Sequence, residues 1–187
     1  DRGGDWSSDV CSSDLFVMGY IRFAHFSAAY IFTLAMIGRA YWALVGNHHA
    51  RELFSVPLTS KAYWADMSAW MRYYLFIGPT PTPMFGHNPL SRFAMFFIFL
   101  LTSLFMILTG FALYGEGAQM GSWQERTFGW VLPLLGQSNN VHVLHHLGMW
   151  VIVLFVMSHI YAAVREEING RLSLVGSMIS GYKTFKK

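Results

Sequence analysis

Three long apolar stretches divide the chain, each bounded by polar, charged or interfacial aromatic residues. The first, Phe16 to Val45, reads FVMGYIRFAHFSAAYIFTLAMIGRAYWALV, with Arg22 and Arg39 near its ends and Tyr20, Tyr41 and Trp42 placed as interfacial aromatics. The second, Leu90 to Tyr114, carries no charge after Arg92, and the third runs from Val141 to Val164 before meeting the charged triplet REE. As helices rising 1.5 Å per residue, all three are long enough to cross a hydrocarbon core of roughly 30 Å. The pattern therefore predicts an all-α fold, a transmembrane helix bundle. Between the first two spans, Lys61 to Ile77 predicts an amphipathic helix lying in the interface, aromatic on one side and charged on the other. The proline cluster GPTPTPMFGHNP is expected to end it, because each proline removes a donor and turns its predecessor away from helix. Gly115 to Asn140 reads as a Gly-rich aromatic loop, and the tail after Val164 as a basic segment with a short amphipathic helix.

Composition sharpens this picture. The 187 residues are 54% hydrophobic and only 12% charged, against a usual charged share of about 25%. The net charge of +3 does not point to nucleic acid, since Lys and Arg flank apolar runs instead of covering one polar face. The expected surroundings are membrane lipid. One cysteine, Cys11, excludes an intrachain disulfide framework, a thiolate iron-sulfur site and a CxxCH haem attachment. Residues 1–15, DRGGDWSSDVCSSDL, have no apolar period and read as a disordered, non-native-looking segment that resembles a translated sequencing-adapter remnant. The membrane domain is read as residues 16–187.

Candidate chemistry lies in the histidines. A ligating or ionisable side chain inside a membrane needs partners, because a polar group left unpaired in hydrocarbon costs several kcal/mol. At 100° per residue His145 and His159 return to within about 40° of each other, roughly 21 Å apart along the helix axis. His142 and His146 lie well off the His159 face. Two same-face histidines at opposite depths suggest two stacked metal centres, and iron porphyrin fits better than bare metal because no Cys, Asp or Glu lies near to finish a zinc or copper shell. The plainer alternative is that each histidine hydrogen-bonds a neighbouring helix. The vicinal pair His48 and His49 reads as a solvated loop pair.

Charge sets an orientation. Arg51, Lys61, Arg72 and Arg92 border the first connection and Arg165, Arg171, Lys183, Lys186 and Lys187 fill the tail, whereas the loop between the second and third spans has only Arg126. The positive-inside rule then makes the long connection and the C-terminus cytoplasmic. His25 and His145 fall just inside the outer face, and His159 near the inner face with no histidine partner on another span. A missing upstream helix with its own histidine would explain that orphan, making the three spans part of an expected four. Arg39 and Arg165, near the inner face, are candidates to pair with haem propionates. Satisfying the charge bias is the competing reading.

The stretches GYIRFAHFSAAYIF, AYWALVGN, ARELFSVP, GHNPLSRFAMF, ILTGFALY, HHLGMW and SHIYAAVREE, in this order and spacing, closely resemble the b-type cytochrome subunit of membrane-bound nickel-iron hydrogenases. The resemblance spans about Phe16 to Tyr182. It implies a multi-pass protein of the bacterial inner membrane holding two b haems, passing electrons from the iron-sulfur small subunit, itself paired with the nickel-iron large subunit, to the quinone pool. By resemblance His25 and His145 hold the outer haem, and His159 the inner one together with a ligand on the missing helix. His146, one residue from His145, leaves a one-position ambiguity in which the 14-residue spacing favours His145. The resemblance also directs quinone to the inner end, where Asn88 offers a donor and an acceptor and His87 a proton. Asn88 reads equally as a helix cap ahead of Pro89, and the two roles are compatible. Alone, the chain would not oxidise hydrogen. The alternatives are a cytochrome subunit of a formate dehydrogenase-like respiratory complex and a haem-free membrane anchor.

Overall fold

The computed structural model describes residues 6–46, with side chains from residue 16, and residues 51, 54, 56–81, 88–118, 120–169 and 176. Among the described residues every regular element is helical, and three helices are long and apolar enough to cross a membrane. The fold is thus the expected transmembrane helical one. The chain divides into two compact units, Asp1–Gly46 and Asn47–Lys187.

The first unit is one helix, α1, Trp6–Val45, whose membrane-length part is Phe16–Val45. Its upstream end corrects the sequence reading, which expected disorder up to residue 15. Extending an existing helix adds one hydrogen bond for each residue fixed, so a polar stretch can follow a helix that it could not nucleate. Phe23, Ile31 and Leu34 are each about two-thirds exposed or more, a surface suited to hydrocarbon and not to water. Within the span Thr33 returns its hydroxyl to Ala29 O at 2.7 Å.

In the second unit α2, Lys61–Tyr74, starts at Ser60, whose side chain accepts from the Tyr63 N–H. Tyr63, Trp70 and Tyr73 form its buried stripe, while Lys61, Asp66 and Arg72 are exposed. This is the amphipathic helix the pattern predicted, but it stops before the prolines. The N–H groups of Ile77 and Gly78 both reach back to Arg72 O, and Phe76 takes a left-handed φ of 62°. That conformation costs a non-glycine residue about 1–2 kcal/mol. It is offset by the Arg165 guanidinium, 3.7 Å from the Phe76 ring centroid, a cation–π contact that contributes about 0.5–2 kcal/mol.

The second span, α3, is Pro89–Gly117. Asn88 caps it through Oδ1, which accepts from the Ser91 N–H at 2.7 Å, and Pro89 fills the first turn. From Ala94 to Leu100 the helix is of π form, closed by the Leu101 N–H donating to Phe96 O. Such wide turns are rare and recur at functional sites. The segment expected to be a loop contains two short helices, α4, Trp123–Phe128, and α5, Val131–Leu134. Ser122 accepts from the Glu125 N–H while Glu125 accepts from the Gly121 N–H. This Ser-x-x-Glu pattern starts a helix by meeting donors that the first turn cannot satisfy itself. Phe111 stacks on Phe128 at 5.1 Å, joining α4 to α3.

The third span, α6, is Ser138–Asn169, starting and ending beyond the expected limits. It packs antiparallel to α3. His145 meets Thr109, Gly148 faces Met106 and Phe105, and Phe155 stacks on Phe99 at 5.2 Å, so a step up one helix is a step down the other. Apart from Gly176, the amphipathic helix expected in the tail lies outside the described residues.

Candidate functional site

The two histidines singled out on α6 sit against the same neighbour, α3, in different settings. His145 is half-buried, and its Nδ1 lies 2.8 Å from Thr109 Oγ1. Thr109 is fully buried and also bonds back to Phe105 O at 2.8 Å, with Met106 O at 3.3 Å. Gly110 lets the ring come close, since a Cβ there would stand 3.2 Å from His145 Cε1. The neighbouring His146 is exposed, and its Nε2 accepts from Trp150 Nε1 at 3.3 Å. His142 is held by its own helix, its Nδ1 3.0 Å from Ser138 O.

His159 lies fourteen residues further along α6, exposed, its ring stacked on Phe155 at 5.7 Å and 17°. It lines a cavity of about 410 Å³ together with Ala94, Met95 and Ile98 of the π segment, Ser158 and Tyr74. Close by, Asn88 Nδ2 donates to the Tyr74 hydroxyl at 3.1 Å, and that hydroxyl reaches Glu166 Oε1 at 3.3 Å. Burial, and then the Glu166 charge, push the Tyr74 phenol well above the usual tyrosine range, so it stays neutral. Asn88 is therefore both the cap and a side-chain partner, with both polar atoms of its amide engaged. His87 lies outside the described residues.

Arg165 and Glu166 are buried although charged, at 8% and 6% exposure. Arg165 donates Nη2 to Tyr73 O at 2.6 Å and Nη1 to the Tyr161 hydroxyl at 2.9 Å, and it lies over the Tyr73 and Phe76 rings. Its Nε–H is buried with no acceptor among the described residues. This anchoring of α6 to α2 was missed in the sequence. Nothing in REE distinguishes a buried guanidinium from a solvated one, although the adjoining aromatic helix was the available hint. His25 and Arg39 belong to the first unit; His25 is exposed, with the Phe26 ring edge-on at 5.9 Å.

These features fit a non-covalently held haem b. One ring nitrogen of His145 is held by Thr109, and His159 borders space walled by small and apolar side chains. The buried Arg165 Nε–H is an unanswered donor suited to a carboxylate. Among the described residues no three His, Cys, Asp or Glu side chains converge as a bare metal site would require.

Membrane-length helices with such imidazoles define the class of membrane b-type cytochromes, proteins that hold haem b without covalent attachment. Within it the chain belongs to the prokaryotic cytochrome b561 family, whose profile matches residues 4–181. It is 67% identical over 171 residues to the probable Ni/Fe-hydrogenase B-type cytochrome subunit of Cupriavidus necator, covering 91% of this chain and 70% of that protein. The subunit of the same name from Azotobacter vinelandii is 55% identical over 173 residues, covering 92% of this chain and 72% of the relative. The probable Ni/Fe-hydrogenase 1 B-type cytochrome subunit of Escherichia coli is 44% identical over 176 residues, covering 92% and 74%. The chain is accordingly an integral membrane protein of a haem b family.

Proposed function

We propose that this chain is the membrane cytochrome subunit of a nickel-iron hydrogenase, receiving electrons from the iron-sulfur small subunit and delivering them to quinone in the bacterial inner membrane, with its C-terminus cytoplasmic. The observation that carries this reading is the placement of His145 and His159 at two depths of one membrane-length helix, both beside α3, in a chain so close to proteins of that name. Held by two histidines, a haem b would supply single-electron exchange without binding substrate.

His145 is the α6 ligand we assign to one haem and His159 the ligand we assign to another, and we also assign His25 a ligand role. The bond from Trp150 to His146 Nε2 supports His145 over its neighbour, because that contact takes up the His146 lone pair. Arg165 lies six residues, about 9 Å, beyond His159. Its unanswered Nε–H supports its assignment to a propionate, a role we also give to Arg39. We place the quinone head near Asn88 and Tyr74, where a neutral phenol and an amide meet and Glu166 stands behind as a proton-carrying group. His87 completes this assignment.

The test is a reduced-minus-oxidised spectrum of the hydrogenase complex in membranes. The wild-type subunit is expected to show two b-type components, His145→Ala and His159→Ala each to lose one, and His146→Ala to keep both. Hydrogen-driven reduction of added quinone should fail in both single-loss variants, while reduction of a soluble dye by the partner subunits persists. A complex with no b-type absorbance, or one in which both variants keep the full spectrum, would refute the reading.

A further inference from the structure

We propose that Thr109 is a positioning residue for the haem: its hydroxyl oxygen accepts the Nδ1–H of His145 and so fixes Nε2 as the iron-ligating nitrogen and sets how strongly it donates. This rests on the reading of His145 as a ligand.

The proton count gives the direction of the bond. Thr109 has a single O–H, and it lies 2.8 Å from Phe105 O, the carbonyl one turn back, with Met106 O at 3.3 Å. Threonine in a helix commonly makes this backward bond. With that proton directed at Phe105 O, the oxygen presents a lone pair toward His145 Nδ1 at 2.8 Å, and we place the proton of this contact on the ring nitrogen. The remaining nitrogen, Nε2, holds its lone pair in the ring plane as a metal ligand requires. A ligating histidine whose other nitrogen donates a hydrogen bond has a fixed tautomer and orientation and a more basic ligating atom. Greater basicity favours the oxidised, more positive iron and lowers the potential.

The surroundings make the bond effective. Thr109 is wholly buried, so water does not compete, and a hydrogen bond is electrostatically stronger in a low-dielectric interior. The threonine methyl restricts χ1, holding the oxygen toward α6. Gly110 clears the approach, because a Cβ at that position would stand 3.2 Å from the imidazole.

The experiment compares Thr109→Val, Thr109→Ser and the wild type in the membrane-bound hydrogenase complex, at matched haem content. Optical redox titration and the low-spin ferric electron paramagnetic resonance spectrum are the readouts. Val is close to isosteric but cannot accept; we expect one haem to become more easily reduced, its reduced-to-oxidised ratio at fixed ambient potential rising several-fold. A tenfold rise would be a shift of ~59 mV for one electron. That haem's ferric signal should move too, whereas Ser, which keeps the hydroxyl, should match the wild type. A Val variant with unchanged potential and ferric signal overturns the proposal, as does a Ser variant shifted as far as Val, which would assign the effect to the methyl group. His145→Ala separates the two layers. If it abolishes one haem while Val is silent, only the Thr109 inference falls; if it keeps both haems, the ligand assignment falls and takes the inference with it.

Discussion

At His145 the two long helices approach so closely that a glycine and a threonine on α3 suffice to hold the ring, and the polar atoms are joined to each other and to the helix backbone. At His159 the same two helices flank a cavity of about 410 Å³, and the polar groups belong to a neighbouring cluster built partly from α2. The π segment, Ala94–Leu100, lies along this looser end and supplies three of its walls. A close-packed contact keeps a ring in one orientation, as the ligand role proposed for His145 would require. A cavity next to a hydroxyl, an amide and a carboxylate suits exchange with a small molecule that takes up protons. One helix pair thus supports two kinds of site.

The contrast breaks most visibly at Arg165, the anchor of the His159 end. Arg165→Met should give the largest loss of stability, since hydrogen bonds from a charged donor are the stronger kind and their acceptors would be left unmet. Tyr73 O and the Tyr161 hydroxyl are those acceptors, and Phe76 would lose the cation above its left-handed turn. Thermal unfolding in detergent checks it. The His145 haem should keep its potential in this variant; a shift there would mean that the two ends are not independent.

Alkaline pH gives a second, smaller separation. The Tyr74 phenol ionises at higher pH in the folded chain, chiefly through burial and then through the Glu166 charge, than the ordinary value of about 10. A raised pKa means that the neutral form favours folding, so this contribution is complete below pH ~10 and is lost as the pH climbs from there toward the folded value. Tyr74→Phe removes the titration. The wild type should therefore lose thermal stability above pH ~10 more steeply than the variant, with their curves parallel below it.

The sequence made the spans legible because lipid demands long apolar runs, and α2 legible because an interface demands two-sided ones. Asn88 was readable as a cap from its proline neighbour, and its tie to Tyr74 was not, because that depends on where α2 lies against the start of α3. Helix arithmetic favoured His145 over His146, and what it could not give is the contacts of each ring, Thr109 for His145 and Trp150 for His146. Thr109 looked like a small packing residue. Its partner is set by the antiparallel register of α3 and α6, which pattern alone does not fix. The stretch AMFFIFL is apolar throughout, so nothing in it marks the wide π turn. The helix α4 was overlooked although its signal, Ser122 and Glu125 three apart, was present, because the glycines on either side suggested a loop.

Two glycines on the α3–α6 seam sharpen the comparison at the close-packed end. An alanine at Gly148 would meet Met106 Sδ at 2.6 Å, the far part of a flexible side chain that can swing aside. At Gly110 the obstacle is His145 itself at 3.2 Å, and in the proposed ligand role that ring would have little freedom to yield. Overpacking costs about 1–3 kcal/mol where neighbours cannot move. Gly110→Ala should therefore alter one haem's ferric signal and potential and lose about 1 kcal/mol, whereas Gly148→Ala should leave both haem signals unchanged.

The smallest effect, and one of opposite sign, is expected midway between the two ends. Ser103 is fully buried, and its Oγ has no hydrogen-bond partner among the described residues. A buried hydroxyl without a partner contributes nothing to balance its desolvation, so removing it is neutral or stabilising by up to about 1 kcal/mol. Ser103→Ala should leave the melting temperature of the complex unchanged or slightly raised, with both haem potentials as in the wild type. A fall in melting temperature would show that the hydroxyl finds an acceptor in the assembled complex, and a shift in one potential would show which end it serves.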